Sequence, residues 1–593
     1  MPKNEIKEEI KIEVKRHSLS HLLAAAVKEL WPAVKLSIGP AIDNGFYYDI
    51  DYGEIKISDS DLKEIEKKMN FLIKQNLKFE KTDLSINEAL KKETAAGEIY
   101  KAELIRDLKT GGETVVSYYT VGKFTDLCRG PHVPNTNQIK PGSFKLHKLA
   151  GAYWRGNEKN KMLTRIYGLA YETKEELADY LKMLSEAEKR DHRKLGKELD
   201  LFVFSDLVGK GLPLWTEKGA IIRRELERFI VDEELRRGYH HVYTPDIAKI
   251  DLYKTSGHYP YYKDSMYAPI KIDEDEFMLR PMTCPHHFEL YKSQPRSYRQ
   301  LPMRIAELAK LYRYEQSGEL SGLIRVRSFC LADAHIIARV DQAEQEINGA
   351  LDLIEYVASV LGFQANQDYR YRLSLGDKHD NEKYYKDDAA WDQAEAVLRK
   401  VVKNRSVQSY EASGEAAFYG PKIDIQMKNT LGKEDTAFTV QYDFVMPKRF
   451  KLVYTASDGR EEEPIVIHRS SVGAIERTIA FLIERCAGAF PVWLAPVQVK
   501  IISVAENHIP AAQKLAAELK EKGCRVELDD ANETVGNKIR KATNEKIPYM
   551  LVVGDKEANA DILTVRDRGS ALNREIKRSD FIAEILTKIK DHS

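Results

Sequence analysis

The 593-residue chain is too long for one hydrophobic core, and its 43% hydrophobic and 31% charged residues are ordinary for a soluble protein, so we expect about two to four domains. Lys and Arg together number 92, as do Asp and Glu, so the net charge indicates no partner, although local patches can still bind nucleic acid. The five cysteines are scattered, no apolar run reaches membrane-spanning length and the charged start lacks a secretory signal, so we expect a cytoplasmic protein without disulfides or a membrane partner.

The first motif is a pair of histidines on a predicted helix. In HSLSHLLAAAVKELWP an apolar helical stripe ends at Pro32, and His17 and His21 share one face because they are four residues apart. A second pair, Cys128 and His132 in CRGPH, lies on a turn because glycine and proline interrupt any helix there. These four side chains suit zinc, and they equally suit a polar cleft for hydrolysis.

This part of the chain resembles the editing domain of threonyl-tRNA synthetases, which alanyl-type enzymes share. The resemblance rests on HSLSH, GEIYKAEL, DLCRGPHVP and AGAYWRGNEKNKMLTRIYG. It implies a site that hydrolyses mischarged seryl-tRNA, usually described as metal-free, although the ligand chemistry leaves metal binding open. The residues implied to line it are His17, His21, Lys101, Asp126, Cys128 and His132. It also implies that the ubiquitin-like domain often found ahead of this one is missing.

A long polar helix is predicted from Thr173, where Thr173 and Glu176 fit a capping box. Its charges lie on most faces, so we interpret residues 173–195 as a linker helix between domains. The next segment, LPLWTEKGAIIRRELERFIVDEELRRGYHHVYTPDI, predicts an amphipathic helix, a stop at Gly238 and a strand ending at Pro245. An ordinary helix–strand unit would read the same, but the segment also resembles the dimer interface of class II aminoacyl-tRNA synthetases, which implies a homodimer.

Leu308–His335 predicts two antiparallel strands joined by a Gly/Ser-rich loop. Arg313 and Glu315 lie on one side of the loop, and Arg325 and Phe329 lie on the other. Arginines bind phosphate in bidentate fashion, a ring can stack on a base, and a carboxylate can accept a hydrogen bond from an exocyclic amine. The stretch therefore predicts a pocket for an anionic, planar ligand.

Three residues of metal-ligand type lie in distant segments: Cys284 at a Pro-rich turn, His335 in a strand and His468 at a strand end before a helix. Spacing alone does not join them into a site. The segments resemble those that build the threonyl-tRNA synthetase pocket, and the resemblance implies that these three residues bind one zinc ion. Three protein ligands leave a position open for substrate.

Zinc in such a pocket would explain selectivity, because it can bind the amino and hydroxyl groups of threonine and so reject valine. Serine has both groups and lacks only a methyl, which is worth roughly 1–3 kcal/mol, too little for translation. A zinc pocket for threonine therefore calls for a second, hydrolytic site.

Further predicted elements complete this pocket. The segment GEAAFYGPKID starts an alternating strand, FTVQYDF is its antiparallel partner, and Tyr419, Lys422 and Gln441 are expected to face substrates. In the last helix of this region Arg477 lies off the buried stripe. Resemblance to the third class II motif implies that it contacts the γ-phosphate of ATP.

The same resemblance implies roles for the hairpin. Arg313 would stabilise the α-phosphate, Glu315 would accept from the adenine amine, Phe329 would stack, Arg325 would bind the outer phosphates, and Asp333 would hold the threonine end. Magnesium would accompany ATP, and threonyl-adenylate would be attacked by the terminal ribose hydroxyl of tRNA. The side chains implied to be catalytic are Arg313, Arg477 and Lys422.

The chain also departs from the family pattern. Leu331 and Ala332 replace the usual Gln-Asp before Asp333, the strand near Thr436 lacks a glutamine commonly found there, and His286 replaces a glycine beside Cys284. The resemblance implies that the missing glutamine at 331 removes a polar contact to the substrate carboxylate or phosphate.

The C-terminal residues predict a β-α-β-α-β-β order, a small α/β domain with a mixed sheet. It resembles the anticodon-binding domain of threonyl, prolyl, glycyl and histidyl enzymes. A basic face is predicted from five residues: Lys538, Arg540, Lys541, Arg566 and Arg568.

The ordered set of motifs resembles class II threonyl-tRNA synthetases from His17 to the end. It implies an α+β multidomain protein with an antiparallel-sheet core, acting on tRNA(Thr), ATP and L-threonine. The expected domains are editing (1–172), linker helix (173–195), catalytic (196–495) and anticodon-binding (496–593). A synthetase for proline or serine, or a paralogue that binds tRNA without charging it, remain as alternatives.

Overall fold

The computed structural model describes residues 10–380, 382–558 and 560–593. The chain divides into two compact units, Met1–Ser185 and Glu186–Ser593. None of the helices in these described ranges combines the length and apolar character needed to span a membrane. The expected catalytic and C-terminal domains lie in the second unit, and the four-domain boundaries stay a prediction.

The first unit is an α+β structure with two antiparallel sheets. Its helices are α1 (Ile12–Leu30), α2 (Asp61–Lys74), α3 (Ile86–Ala95), α4 (Ile99–Thr110) and α5 (Lys174–Arg190), the last extending in sequence past Ser185. Its strands are β1 (Lys35–Leu36), β2 (Ala41–Ile42), β3 (Gly45–Asp51), β4 (Phe79–Ser85), β5 (Val115–Val121), β6 (Phe124–Leu127), β7 (Phe144–Tyr153) and β8 (Met162–Ala170). One sheet runs β1-β3-β8-β7 with β2 paired to β3, and the other runs β4-β5-β6. Helix α1 is buried from Leu19 to Val27, so its histidines lie at the edge of this unit's core.

The predicted linker helix is interrupted. Helix α5 is followed by a separate helix, α6 (His192–Glu198), because Asp191 leaves helical geometry at φ −50° and ψ 121°. Its carboxylate accepts the backbone N–H of Arg193 and caps the second helix. Charge patterning alone predicted one continuous helix, whereas an aspartate that competes for backbone N–H groups favours a new N-terminus. At the start of α5, Thr173 accepts the N–H of Glu176, as the capping pattern predicted.

The second unit is built around an eight-stranded sheet in the order β11-β15-β16-β23-β20-β19-β17-β18. Its first helices after α6 are α7 (Glu217–Arg236), α8 (Ile250–Ser256), α9 (His258–Tyr261), α10 (Cys284–Lys292), α11 (Ala343–Val360), α12 (Asp388–Lys403), α13 (Met446–Phe450) and α14 (Ile475–Cys486). The sheet strands are β11 (His240–His241), β15 (Met303–Tyr312), β16 (Ser328–Ala338), β17 (Tyr369–Leu375), β18 (Ser409–Ser413), β19 (Lys422–Lys428), β20 (Glu434–Asp443) and β23 (Ile465–Ala474). Short strands outside it are β9 (Phe202–Val203), β10 (Leu214–Trp215), β12 (Ile247–Lys249), β13 (Ile270–Ile272), β14 (Asp275–Leu279), β21 (Tyr454–Thr455) and β22 (Glu461–Glu462).

The predicted core of this unit is confirmed. Strands β15 and β16 form the expected antiparallel hairpin, β19 and β20 pair antiparallel, and only β11–β15 and β17–β18 are parallel among the pairs of this sheet that the structure describes. Helix α7 ends near Gly238 (φ 80°) as predicted, but the following strand is the two-residue β11 and does not reach Pro245. Helices α11 and α14 pack their apolar faces on the sheet.

Sheet register aligns the candidate residues in one row. His335 on β16 lies opposite His468 on β23, His468 lies opposite Gln441 on β20, and Gln441 lies opposite Lys422 on β19. Directly opposed residues share a face of the sheet. His468 lies within β23 and not at its end, and Cys284 is the first residue of α10.

The C-terminal part contains β24 (Val499–Ser503), α15 (Ile509–Glu521), β25 (Val526–Asp529), α16 (Val535–Asn544), β26 (Tyr549–Val553), β27 (Ile562–Asp567), β28 (Asn573–Lys577) and α17 (Arg578–Lys590). The mixed sheet β25-β24-β26-β27-β28 confirms the predicted α/β order, to which the structure adds β28 and α17. One member of the predicted basic face is misplaced. Lys538 is buried and donates to the carbonyl oxygens of Ser503 and Asp529, because α16 packs it against β24.

Candidate active and editing sites

A cleft of about 320 Å³ opens over the row of residues on the eight-stranded sheet. Strands β16, β20 and β23, helix α14 and the loop between β15 and β16 form its walls. The structure brings together here all but one of the residues predicted for the pocket: Cys284, Arg313, Glu315, Arg325, Phe329, Asp333, His335, Tyr419, Gln441, His468 and Arg477.

Lys422 is the exception. It is next in the row after Gln441, but it lies outside the cleft lining, and its Nζ donates to Asp424 Oδ2 at 2.6 Å. The buried Asp424 carboxylate also accepts from Thr439, which does line the cleft. The charge of Lys422 is therefore neutralised by Asp424, which is linked to the cleft lining through Thr439.

The three distant metal-type residues meet at the floor of the cleft. Candidate ligand atoms of Cys284, His335 and His468 all lie within 4.8 Å of one another, and all three residues are buried. One thiol and two imidazoles in this spacing fit a tetrahedral zinc site with one open position. The cross-strand pairing of the two histidines explains how residues 133 positions apart in sequence (468 − 335) come together.

A buried hydrogen-bond chain orients His335. The Glu307 carboxylate is ionised, since hydrogen bonds from His287 and Thr244 and the charge of Arg280 outweigh its burial and lower its pKa to about 2. Its Oε2 accepts from His287 Nε2 at 3.3 Å, so His287 Nδ1 carries the lone pair that accepts from His335 Nδ1 at 2.8 Å. The remaining nitrogen of His335, Nε2, therefore carries the lone pair that a metal requires.

A second carboxylate orients His468. Its Nε2 donates to Asp443 Oδ2 at 2.7 Å, and the backbone N–H groups of Val445 and Met446 hold the other oxygen of this buried aspartate. His468 Nδ1 is thus free to serve as a ligand. Sequence reasoning missed Glu307, His287 and Asp443. Only His287 gave a signal, as the second histidine of the CPHH run beside Cys284.

Arg313 and Arg477 are the cleft's uncompensated cations. Arg313 Nε donates to the Pro281 carbonyl at 3.4 Å, and Arg477 donates to the carbonyls of Ile324 (3.1 Å) and Thr436 (2.8 Å). Neither guanidinium forms an ion pair with any residue the structure describes. Burial lowers the pKa of both groups, which favours an anionic ligand beside them.

The other nucleotide-type residues lie around these arginines. Arg313 stacks 5.2 Å above the Phe329 ring, while Arg325 Nε donates to Glu315 Oε2 at 2.8 Å. Arg327 holds the Glu315 backbone carbonyl at 3.0 Å and so fixes the chain where the two predicted ATP ligands meet. In the Arg325–Glu315 pair the arginine is half-exposed, whereas the glutamate is mostly buried.

On the amino-acid side, Tyr419 stacks on His468 at 5.0 Å and its hydroxyl donates to Gln441 Oε1 at 2.5 Å. Burial raises the pKa of Asp333. These groups surround the metal-type residues with one carboxylate, one amide and one aromatic face.

The residues that depart from the family pattern lie in or beside the cleft. Leu331 lines the cleft, and the strand irregularity between Leu331 and Asp333 leaves the Ala332 carbonyl to accept from Ser470 at 3.0 Å. Thr436 accepts from the buried Gln426 amide at 2.7 Å. Both ring nitrogens of His286 are buried without a hydrogen-bond partner among the described residues, and burial lowers its pKa to about 4.

A second cluster lies in the first unit. His17 and His21 on α1 meet Cys128 and His132, which follow β6, with candidate ligand atoms within 4.8 Å of one another. Cys128 Sγ lies 3.2 Å from His17 Nε2 and 3.3 Å from His132 Nε2. Lys101 and Asp126 adjoin the thiol, so the structure assembles all six predicted editing residues.

Neutral partners set the tautomers in this cluster. His17 Nδ1 donates to the Pro131 carbonyl at 3.2 Å. The Ser18 hydroxyl donates its proton to the Val14 carbonyl, so its oxygen can only accept from His132. His132 Nδ1 therefore donates to Ser18 Oγ at 3.2 Å. Both Nε2 lone pairs consequently face Cys128. Burial lowers the pKa of His132 to about 2 and raises the pKa of the Cys128 thiol to about 11, so both groups are neutral at physiological pH.

A charged pair flanks these neutral groups. Lys101 Nζ lies 2.7 Å from Asp126 Oδ1, and Tyr48 donates to Asp126 Oδ2. Lys101 also donates to the Tyr48 hydroxyl at 3.0 Å. Sequence reasoning missed Tyr48, which lies on β3 in an apolar–polar alternation that gave no functional signal.

Three family models match the chain: the tRNA synthetase class II core domain (G, H, P, S and T) over residues 267–486, the anticodon binding domain over 498–588, and the threonyl and alanyl tRNA synthetase second additional domain over 116–167. The Threonine--tRNA ligase of Geobacillus sp. (strain WCH70) is 50% identical over 580 residues, covering 98% of this chain and 89% of that protein. The Threonine--tRNA ligase of Staphylococcus carnosus (strain TM300) is 51% identical over 581 residues, covering 98% and 88%.

A solved structure agrees with these matches. The RNA binding domain of threonyl-tRNA synthetase from Cryptosporidium parvum Iowa II is 35% identical, with a TM-score of 0.64, and the alignment covers 67% of this chain and 98% of that one. Identity near 50% over almost the whole of both sequences, together with the class II core and the two flanking domains, shows that the chain belongs to the threonyl-tRNA synthetase family.

Proposed function

We propose that the cleft of the second unit activates L-threonine with ATP and transfers it to tRNA(Thr), and that the cluster of the first unit hydrolyses mischarged seryl-tRNA(Thr). The observation that carries the proposal is the meeting, in one cleft, of a buried Cys–His–His triad with two arginines that form no ion pair among the described residues. A phosphate-binding wall beside a site for a small hydroxylated amine is what amino-acid activation requires.

Adenylate formation needs no nucleophilic side chain. The threonine carboxylate attacks the α-phosphorus, pyrophosphate leaves, and Arg313 stabilises the charge that develops on the α-phosphate. Arg477, held by two carbonyls, binds the γ-phosphate. Lys422 is the third proposed catalytic cation; to reach the substrates its side chain has to leave Asp424, which it contacts at 2.6 Å.

The nucleotide is bound at the mouth of the cleft. Glu315 accepts from the adenine amine, Phe329 stacks on the base, and Arg325 binds the outer phosphates together with magnesium. The present Arg325–Glu315 contact supports this because it holds both groups at the same edge of the cavity.

Cys284, His335 and His468 would hold one zinc ion, which when bound would take the amino and hydroxyl groups of threonine. Around them Asp333 accepts a hydrogen bond from that amino group, while Tyr419 and Gln441 bound the space left for the side chain. The carboxylate-backed imidazoles support this assignment, since such partners fix the tautomer of a metal-binding histidine.

Editing is proposed to use the neutral imidazoles of the first unit. His17, His21 and His132 stay unprotonated, so they can accept a proton from water that attacks the seryl ester. The Lys101–Asp126 pair supplies fixed charges beside that water. Cys128 completes the wall.

We also propose a homodimer formed around α7 and β11. Large apolar side chains near these elements are exposed: Val203, Phe204, Leu207, Val208, Leu235 and Tyr243. Leu207 is 100% and Tyr243 94% exposed, more than isolated surface residues usually are. Leu207→Glu should convert a dimer into monomers in analytical ultracentrifugation, whereas the same change at the exposed Leu572 should not. The expected cytoplasmic location stays a prediction.

ATP–pyrophosphate exchange with each amino acid separately tests the central proposal. Threonine should support exchange far better than proline or serine. Exchange driven mainly by serine or proline would favour a synthetase of another specificity. Tight tRNA binding without exchange would favour an RNA-binding paralogue.

A further inference from the structure

The wall of the cleft on the proposed ATP side contains a short loop that is held by hydrogen bonds from neighbouring elements. Residues Gln316–Arg327 lie between Glu315, which follows β15, and the start of β16, and Leu323, Ile324 and Arg325 from this loop line the cleft. A loop that must place an arginine on phosphate needs fixed anchor points.

Helix α14 supplies anchors at its first turn. Arg477 Nε donates to the carbonyl of Ile324 in the loop at 3.1 Å, and Glu476 Oε2 accepts the backbone N–H of Cys330 at 2.9 Å, in the strand β16 that follows the loop. Arg477 is also one of the proposed catalytic residues, so a proposed ATP-binding arginine contacts the loop directly.

A third anchor comes from outside the sheet. Two turns further along α14, the Glu484 carboxylate accepts from His192 Nδ1 at 2.7 Å. The opposite nitrogen, His192 Nε2, accepts the backbone N–H of Leu323 at 3.1 Å. Both side chains are buried, with His192 only 2% exposed, and Leu323 is fully buried.

The chemistry of this bridge is specific to histidine. A backbone N–H can only donate, so His192 Nε2 must carry a lone pair, and Nδ1 must carry the proton given to Glu484. The loop is shaped to this ring. Gly322 has φ +49°, and a Cβ there would lie 2.1 Å from His192 Nε2.

We propose that His192 is a positioning residue for ATP: it links Glu484 to the Leu323 amide and so holds the loop that presents Arg325 to the nucleotide. The two-residue segment Leu323–Ile324 is then held at both ends, by His192 at the Leu323 N–H and by Arg477 at the Ile324 carbonyl. This inference rests on the proposed function of the cleft. It adds a role for a residue of the segment that sequence patterning predicted to be only a linker.

The test measures His192→Ala and His192→Gln in the full chain, with His379→Ala as a matched exposed-histidine control. Loss of the bridge should raise KM for ATP about tenfold in threonine-dependent pyrophosphate exchange. KM for threonine and the bound metal should be unchanged. The glutamine variant, which can still accept from the Leu323 amide, should recover part of the loss. The control should match the wild type.

Two further measurements separate positioning from folding. Adenylate burst titration gives the active fraction, and amide hydrogen exchange reports the Leu323 N–H, which should lose protection in His192→Ala. An unchanged KM for ATP, a fall in active fraction alone, or an equal rise in both KM values would overturn the proposal. If the wild type shows no threonine-dependent exchange, the proposed function fails, yet calorimetric ATP binding to the same variants still tests His192.

Discussion

The two cysteine–histidine clusters use the same residue types but differ in what lies behind the imidazoles. In the second unit, His468 is hydrogen-bonded to the carboxylate of Asp443. His335 is connected to the carboxylate of Glu307 through His287. In the first unit the far nitrogens meet neutral groups, a backbone carbonyl and a serine hydroxyl. Carboxylate backing raises the basicity of an imidazole and fixes it for a metal.

Neutral backing fixes the tautomers without placing a charge behind the rings, and burial lowers imidazole pKa values in both clusters, that of His335 included. His17, His21 and His132 are buried without a negative partner strong enough to offset desolvation, so the pKa of each is lowered. Such imidazoles stay unprotonated and so remain available as proton acceptors, and without a carboxylate behind them they hold a metal less tightly. We therefore expect a resident zinc in the second unit and hydrolysis in the first.

The largest expected effect follows from removing the thiol of the triad. Cys284→Ala should lose zinc and reduce threonine-dependent pyrophosphate exchange by more than about 100-fold, because two imidazoles alone bind zinc poorly. Metal analysis and exchange assays on the same preparation check both losses. Cys524→Ala, a buried cysteine in the C-terminal part, is the control and should keep both properties. A metal-free Cys284→Ala protein with normal activation would refute the zinc role.

The next effect separates the two clusters. His17→Ala should slow seryl-tRNA(Thr) deacylation by about 10²-fold or more, because it removes a proton acceptor, while threonine charging stays intact. Deacylation of preformed seryl-tRNA and aminoacylation with threonine measure the two activities. His147→Ala, elsewhere in the first unit, is the matched control. Unchanged serine clearance would contradict the editing assignment.

The carboxylate behind His335 can be removed without touching a ligand. Glu307→Gln should weaken zinc binding about 10- to 100-fold, since the chain that fixes the His335 tautomer loses its charge. Chelator competition measures the affinity directly. Glu289→Gln, an exposed glutamate on α10, should leave it unchanged. Equal zinc affinity in both variants would remove the distinction drawn between the clusters.

Sequence reasoning predicted the parts of these sites that depend on local pattern. The β15–β16 hairpin, the pairing of β19 with β20 and the set of triad residues all followed from alternation, turn residues and family motifs. The contacts that distinguish the clusters did not, because Glu307 reaches His335 only through a tertiary partner and Asp443 reaches His468 through sheet register. The break at Asp191 and the burial of Lys538 likewise depend on packing that composition does not reveal.

The smallest effect is a pH profile. A free imidazole with pKa 6.5 would be about 90% protonated at pH 5.5 and would lose roughly tenfold in rate as a base. Burial lowers the pKa of His132 to about 2 and raises that of Cys128 to about 11, so neither group changes charge between pH 5.5 and pH 8. Seryl-tRNA deacylation should therefore stay level from pH 8 to pH 5.5, after subtraction of the rate measured with His17→Ala. A tenfold fall in the deacylation rate with a midpoint near pH 6.5 would mean that the imidazoles of the first unit become protonated in acid. Their neutral hydrogen-bond partners would then not distinguish this cluster from that of the second unit.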